Sequence, residues 1–122
     1  MRLFVYGSLK RGERHHRELA GARFVRTART APAYSLVDTG EYPGLVRGGT
    51  SAVAGELFEI DDALLARLDE FEDVPDVYRR DEVELDDGSR AIAYLLPDEA
   101  RDRFPVLASG AWTGTPNVTS CR

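Results

Sequence analysis

The chain has 122 residues, 43% hydrophobic and 30% charged, which suits one globular domain with one core and excludes a disordered chain. Acidic residues outnumber Lys and Arg by 21 to 16, giving a formal net charge of -5. No stretch interleaves Lys and Arg with aromatics, and no apolar run exceeds a few residues, so neither a nucleic-acid surface nor a membrane span is expected.

In chain order, Met1-Arg2 leads directly into a buried strand at residues 3–6, with no signal-peptide core, so a cytoplasmic protein is expected. The turn Gly7-Ser8-Leu9-Lys10 follows. Residues 13–20 are polar and long enough for two helical turns, with Gly21 as the residue after the helix. A β-branched and aromatic stretch over 22–30 reads as a strand that Pro32 breaks, and residues 34–38 read as another. Two glycines and a proline over 39–44 predict a turn, with a second turn at Gly48-Gly49. Residues 52–60 read as a strand whose interior Gly55 marks a bulge or a close approach.

Asp61 or Asp62 caps the best helix in the chain. Leu64, Leu65, Leu68 and Phe71 form its apolar stripe, and Pro75 stops it. Residues 78–86 and 90–96 form a hairpin around Asp87-Gly88. Its second strand is apolar on both faces and should be the more central. A charged connector over 97–103 and an edge strand or turn over 104–107 precede Trp112, which is expected to pack one end of the sheet. The domain is placed at 1–112, with a loose polar tail at 113–122. Cys121, the single cysteine, lies in that tail, forms no internal disulfide and has no neighbour to activate it. About six strands with one good helix predict an α+β fold: a small, mostly antiparallel sheet curled into a barrel, with flanking short helices.

Two stretches can carry chemistry. A strand entering a Gly-Ser turn leaves backbone N–H groups able to cradle a carboxylate or phosphate. That turn lacks the second glycine of a nucleophile elbow. Glu13 stands where a phosphate-binding P-loop needs Lys. The adjacent His15 and His16 lack metal-ligand spacing and read as surface residues, so no metal site and no cofactor is expected. The second stretch is Asp69-Glu70-Phe71-Glu72-Asp73. Acids at a helix C-terminus oppose the helix dipole and one another. One turned inward beside Phe71 would suit general acid/base work. Arg79 and Arg80 are expected to balance Glu72 and Asp73 or to lie on a strand face. Tyr34 and Tyr42 read as core or surface aromatics.

Tyr6-Gly7-Ser8-Leu9-Lys10-Arg11-Gly12 resembles the opening motif of the gamma-glutamyl cyclotransferase-like family. Leu68-Asp69-Glu70-Phe71-Glu72-Asp73-Val74-Pro75 with Tyr78-Arg79-Arg80 resembles its second motif, and Gly55-Glu56-Leu57-Phe58 matches the strand between them. Ser109-Gly110-Ala111-Trp112 is similar to a Gly-Asp-Trp ending of some members, with Ala111 in place of Asp. The resemblance implies a β-barrel fold and a small-molecule gamma-glutamyl substrate. It implies that Tyr6, Gly7, Ser8 and Leu9 hold the glutamyl α-carboxylate and amine end. Glu72 would be the catalytic acid/base, with Tyr78 close to it. His16 matches a histidine of the gamma-glutamylamine branch. Lys10 and Arg11, where the glutathione-specific branch has Trp, point to gamma-glutamylamine or biosynthetic relatives. The alternative is a catalytically silent module that binds a carboxylate metabolite on the same turn. A scaffold using its acidic surface leaves both motifs unexplained.

Overall fold

The computed structural model describes residues 1–40 and 42–112. Among them, seven strands form one sheet: β1 (Arg2–Val5), β2 (Arg23–Arg29), β3 (Tyr34–Asp38), β4 (Pro43–Arg47), β5 (Ala54–Glu59), β6 (Arg79–Glu84) and β7 (Arg90–Leu95). The helices are α1 (Asp62–Phe71) and the single turn α2 (Ala100–Arg103). The expected tail and Cys121 lie outside the described residues. No helix among those described is long and apolar enough to cross a membrane.

The strand order is β2-β5-β1-β7-β4-β3, with β6 paired to β7 off this path. Pairing is antiparallel except where β7 meets β1 and β4. The mixed α+β architecture and mostly antiparallel sheet are as expected, but the barrel is not a closed ladder. A single bridge, Thr30 to Leu85, joins the end of β2 to the end of the β6 hairpin. Two bonds flank it, Ala31 N–H to Glu84 O and Asp86 N–H to Arg29 O, both 2.9 Å. Pro32 follows at once and has no N–H to extend the seam.

The core has two parts, and β1 feeds both because successive strand residues point to opposite faces. Phe4 and Tyr6 face the interior of the curled sheet with Leu45, Leu57 and Trp112. Leu3 and Val5 face Leu64, Leu65 and Leu68 of α1. β7 divides in the same way, Ala91, Ala93 and Leu95 against Ile92 and Tyr94, so it is the central strand its composition predicts. Gly55 marks a close approach, since a Cβ there would lie 2.3 Å from the Val5 carbonyl oxygen.

Three local expectations fail. Residues 13–20 make only a 3₁₀ turn, His16–Leu19. The segment spends its bonds on the preceding loop, with the His15 N–H donating to the Ser8 carbonyl at 3.0 Å. Pro43 and Gly44 belong to β4 rather than to a turn. Pro43 opens the strand, where a missing N–H is tolerated. Gly44 is there for space: a Cβ would fall 1.9 Å from Leu96 Cδ1. The connector over 97–103 contains α2; the stretch after it does lie at the sheet edge as expected, through a Val37–Val106 bridge to β3.

Candidate active site

The turn after β1 is shaped by two bonds. Gly7 O accepts from the Lys10 N–H at 3.1 Å, and Ser8 O accepts from the His15 N–H at 3.0 Å. Across a trans peptide the C=O and the next N–H point in opposite directions. Fixing the Gly7 and Ser8 carbonyls therefore turns the Ser8 and Leu9 N–H groups away from the turn's own bonds. Among the described residues, no carbonyl or side chain accepts from the Gly7, Ser8 or Leu9 N–H. Such a set of amides is an anion cradle.

Glu72 is the C-cap of α1, and its N–H donates to Leu68 O at 2.8 Å. It stands four residues after Leu68 and eight after Leu64, so it continues the apolar stripe. Its side chain follows that stripe inward: Glu72 is 0% exposed and both carboxylate oxygens are buried. Glu70 and Asp73 on either side of it are exposed. Asp73 takes a left-handed φ of 54° and ends the helix.

A cavity of about 10 Å³ joins these elements, lined by Phe4, Val5, Tyr6, Leu9, Glu72 and Tyr94. Of the residues expected to bind substrate, Tyr6 and Leu9 line it beside Glu72, whereas Gly7 and Ser8 shape the turn behind it. Tyr78 is fully buried and donates its hydroxyl to Pro43 O at 2.7 Å, with its ring 5.7 Å from that of Tyr42. A wider depression, about 470 Å³ between β2 and β5, is lined by residues that include Lys10, Arg26, Arg29 and Glu56, and not by Glu72. The Glu72 carboxyl lies instead against the smaller cavity.

Tyr94 is the site residue that sequence reasoning missed. Its hydroxyl donates to Asp69 Oδ1 at 2.8 Å, and Arg80 pairs with the other oxygen of the same carboxylate. Arg80, exposed on β6, thus pairs with Asp69. Burial pushes the Tyr94 phenol up, and donation to Asp69 and the Glu72 charge act in the same sense. Burial also pushes the Tyr6 phenol up, opposed by hydrogen bonds and reinforced by the Glu72 charge. Both phenols remain protonated donors.

The histidines are not surface residues. Both are half-buried, His15 Nδ1 lying 3.2 Å from Ser8 Oγ and His16 Nδ1 2.9 Å from Leu9 O. A carbonyl oxygen only accepts, so the His16 Nδ1 carries a proton. Among the described residues, no group of three or more His, Cys, Asp or Glu is placed to hold a metal ion.

The family model "Gamma-glutamyl cyclotransferase, AIG2-like" matches residues 3–114. The chain belongs to this family. A Vibrio cholerae protein named as a candidate gamma-glutamylcyclotransferase is 41% identical over 110 residues, covering 90% of this chain and 93% of that protein. The human gamma-glutamylaminecyclotransferase is 40% identical over 87 residues, 64% of this chain and 57% of that protein. The chain thus spans nearly all of the bacterial relative but little more than half of the human one. Among solved structures, a protein specific to uropathogenic Escherichia coli superposes with a TM-score of 0.78 at 29% identity, covering 91% of each chain. A mouse AIG2-like protein gives 0.74 at 28% identity, covering 95% of this chain and 97% of that one. The gamma-glutamyl cyclotransferase fold therefore accounts for β1 through β7. The two segments that frame the cavity, 6–10 and 68–80, fall inside the matched range.

Proposed function

We propose that this protein is a metal-independent gamma-glutamyl cyclotransferase that releases 5-oxoproline from a small gamma-glutamyl amide, with Glu72 as its general acid/base. The observation that carries this reading is the wholly buried Glu72 carboxyl, in one cavity with Tyr6 and Leu9 of the amide-rich turn. The substrate's own α-amine attacks its side-chain carbonyl carbon. That C–N bond closes the lactam ring, and the old amide C–N bond breaks. One proton leaves the α-ammonium and one reaches the departing amine, and a single carboxyl can carry both transfers. The nucleophile is already tethered, so most of the entropy of bringing reactants together is settled in the substrate, and a covalent enzyme nucleophile is unnecessary.

In this reading the Gly7, Ser8 and Leu9 amides hold the α-carboxylate, or the oxyanion as it develops. Tyr6 and Tyr94 wall the cavity, and Tyr78 buttresses the Tyr6 side of it. A cavity of about 10 Å³ admits about one water, so the walls part to take in a glutamyl group. The names of the vertebrate relatives favour an amine leaving group over a glutathione-type one, as does Lys10-Arg11 after the turn.

The test is 5-oxoproline release over a panel of gamma-glutamyl amines, gamma-glutamyl amino acids and glutathione. Glu72→Gln keeps the shape and removes the titrating group. It is expected to lower kcat by about 10²–10⁴-fold, with the fold intact by circular dichroism. A Glu72→Gln protein at full rate would end the assignment.

A further inference from the structure

The Ser8–His15 contact has the length of a nucleophilic Ser–His pair, but it does not face the reaction. Ser8 is fully buried and is absent from the cavity lining, which passes from Tyr6 to Leu9. The pair acts on the turn instead. His15 grips it twice, by its N–H to the Ser8 carbonyl at 3.0 Å and by Nδ1 to the Ser8 hydroxyl at 3.2 Å. The same ring packs edge-on against Phe71, with ring centroids 5.3 Å apart. Phe71 is the last residue of α1 and the immediate neighbour of Glu72. One imidazole therefore touches both the amide turn and the end of the helix that presents the carboxyl.

We propose that His15 is a positioning residue: it holds the Gly7–Leu9 amides in register with the Glu72 carboxyl. This rests on the reading of the turn as the site of the substrate's α-carboxylate. The hydrogen bond to Ser8 sets which way the turn's peptides face, and the ring on Phe71 sets how far the turn lies from Glu72. His16 supports the same loop one residue on, through Nδ1–H to Leu9 O at 2.9 Å, with its ring 5.6 Å from that of Phe58. The loop between the turn and the 3₁₀ segment is thus held by adjacent side chains that reach back to residues 8 and 9. This explains why the segment forgoes a longer helix.

Three variants separate the hydrogen bond from the packing. His15→Phe keeps a ring against Phe71 and deletes Nδ1. His15→Asn keeps a polar atom near the Nδ1 position and deletes most of the ring. Ser8→Ala removes the other end of the bond. For the best amide of the panel, His15→Phe is expected to raise KM about fivefold to tenfold, the scale of one lost hydrogen bond. Its kcat should change less than twofold, while its melting temperature falls by a few degrees because the buried Ser8 hydroxyl loses its partner. His15→Asn should bring KM back to within about twofold of wild type but lower kcat, because it loses the ring on Phe71 that spaces the turn from Glu72. Ser8→Ala should match His15→Phe, and the double variant should be no worse than either single one, because both remove the same bond.

Binding is measured separately as the Kd of gamma-glutamyl-n-propylamide by calorimetry, with each variant built on Glu72→Gln. A wild-type chain that releases no 5-oxoproline, alongside Kd values that follow the KM pattern above, would sink the proposed activity and leave the role of His15 standing. The inference is overturned if His15→Phe leaves Kd and KM unchanged. It is also overturned if every variant loses melting temperature and kcat together with KM unmoved, the mark of a contact that serves only the fold. A rate loss of a hundredfold or more confined to Ser8→Ala, at unchanged Kd, would make Ser8 a nucleophile and overturn it as well.

Discussion

The Tyr6 hydroxyl donates to the Tyr94 carbonyl at 2.6 Å, between the points where β7 meets β1 at Ile92 and β4 at Leu95. A side chain there helps join strands at a junction where neighbouring ladders change partner. The bond is buried at both ends, so Tyr6→Phe leaves a carbonyl short of a donor and is expected to cost about 1–3 kcal/mol. Urea unfolding reads this directly. A variant as stable as wild type would mean that the hydroxyl serves the substrate and not the sheet. The residue pattern left open which of the acids over 69–73 turns inward, and only the resemblance singled out Glu72; in the structure Glu72 is buried, four residues after Leu68, between the exposed Glu70 and Asp73. Tyr94 was not legible. It lies in a strand apolar on both faces, so alternation could not say which residues face α1, and its Asp69 partner is 25 positions away. The histidines misled for a related reason. Spacing argues about metal ligands, whereas here each ring reaches back seven residues to a backbone turn whose path no pattern announces.

At the scale of elements, α1 matters because it ends on Glu72. It has 10 residues, too few to stand alone, so its caps and its packing hold it. The Asp61 side chain accepts from the Leu64 N–H at 2.8 Å and is the cap; Asp62 is the first helical residue. Asp61→Ala is expected to cost about 1 kcal/mol in urea unfolding. Because the loss falls at the end far from Glu72, KM and kcat at 25 °C should stay near wild type while the temperature of half-inactivation drops. A large change in kcat without a stability change would show that the helix start shapes the site directly. This helix was legible in outline because cap, stripe and stop agree on one answer. β3 was legible to the residue, Tyr34–Asp38. Pro43-Gly44 was misread because turn chemistry and tight strand packing call on the same residue types. Only the Leu96 side chain, supplied from beyond β7, decides between them.

For the whole molecule the question is how a sheet that is not a closed ladder keeps its shape. The seam between β2 and β6 rests on one bridge, and Thr30 is its hub. The Thr30 N–H donates to Val53 O at 3.0 Å, its hydroxyl accepts from the Val53 N–H at 2.8 Å, and the same hydroxyl donates to Ala31 O at 2.9 Å. Thr30 and Val53 are both fully buried. Thr30→Val keeps the volume but leaves the Val53 N–H in an apolar setting without its acceptor, a loss of about 1–3 kcal/mol. If the seam is a local closure, the damage should be local. In hydrogen exchange, the Ala31 and Asp86 amides, which cross the seam, should lose protection before the β3–β4 amides do. Release of 5-oxoproline should survive, since the cavity at Glu72 is walled by β1, β7 and α1 and not by the seam. Equal loss of protection in every strand would mean that the sheet opens as one cooperative unit, with the bridge holding it shut. In that case the variant should lose activity in step with stability.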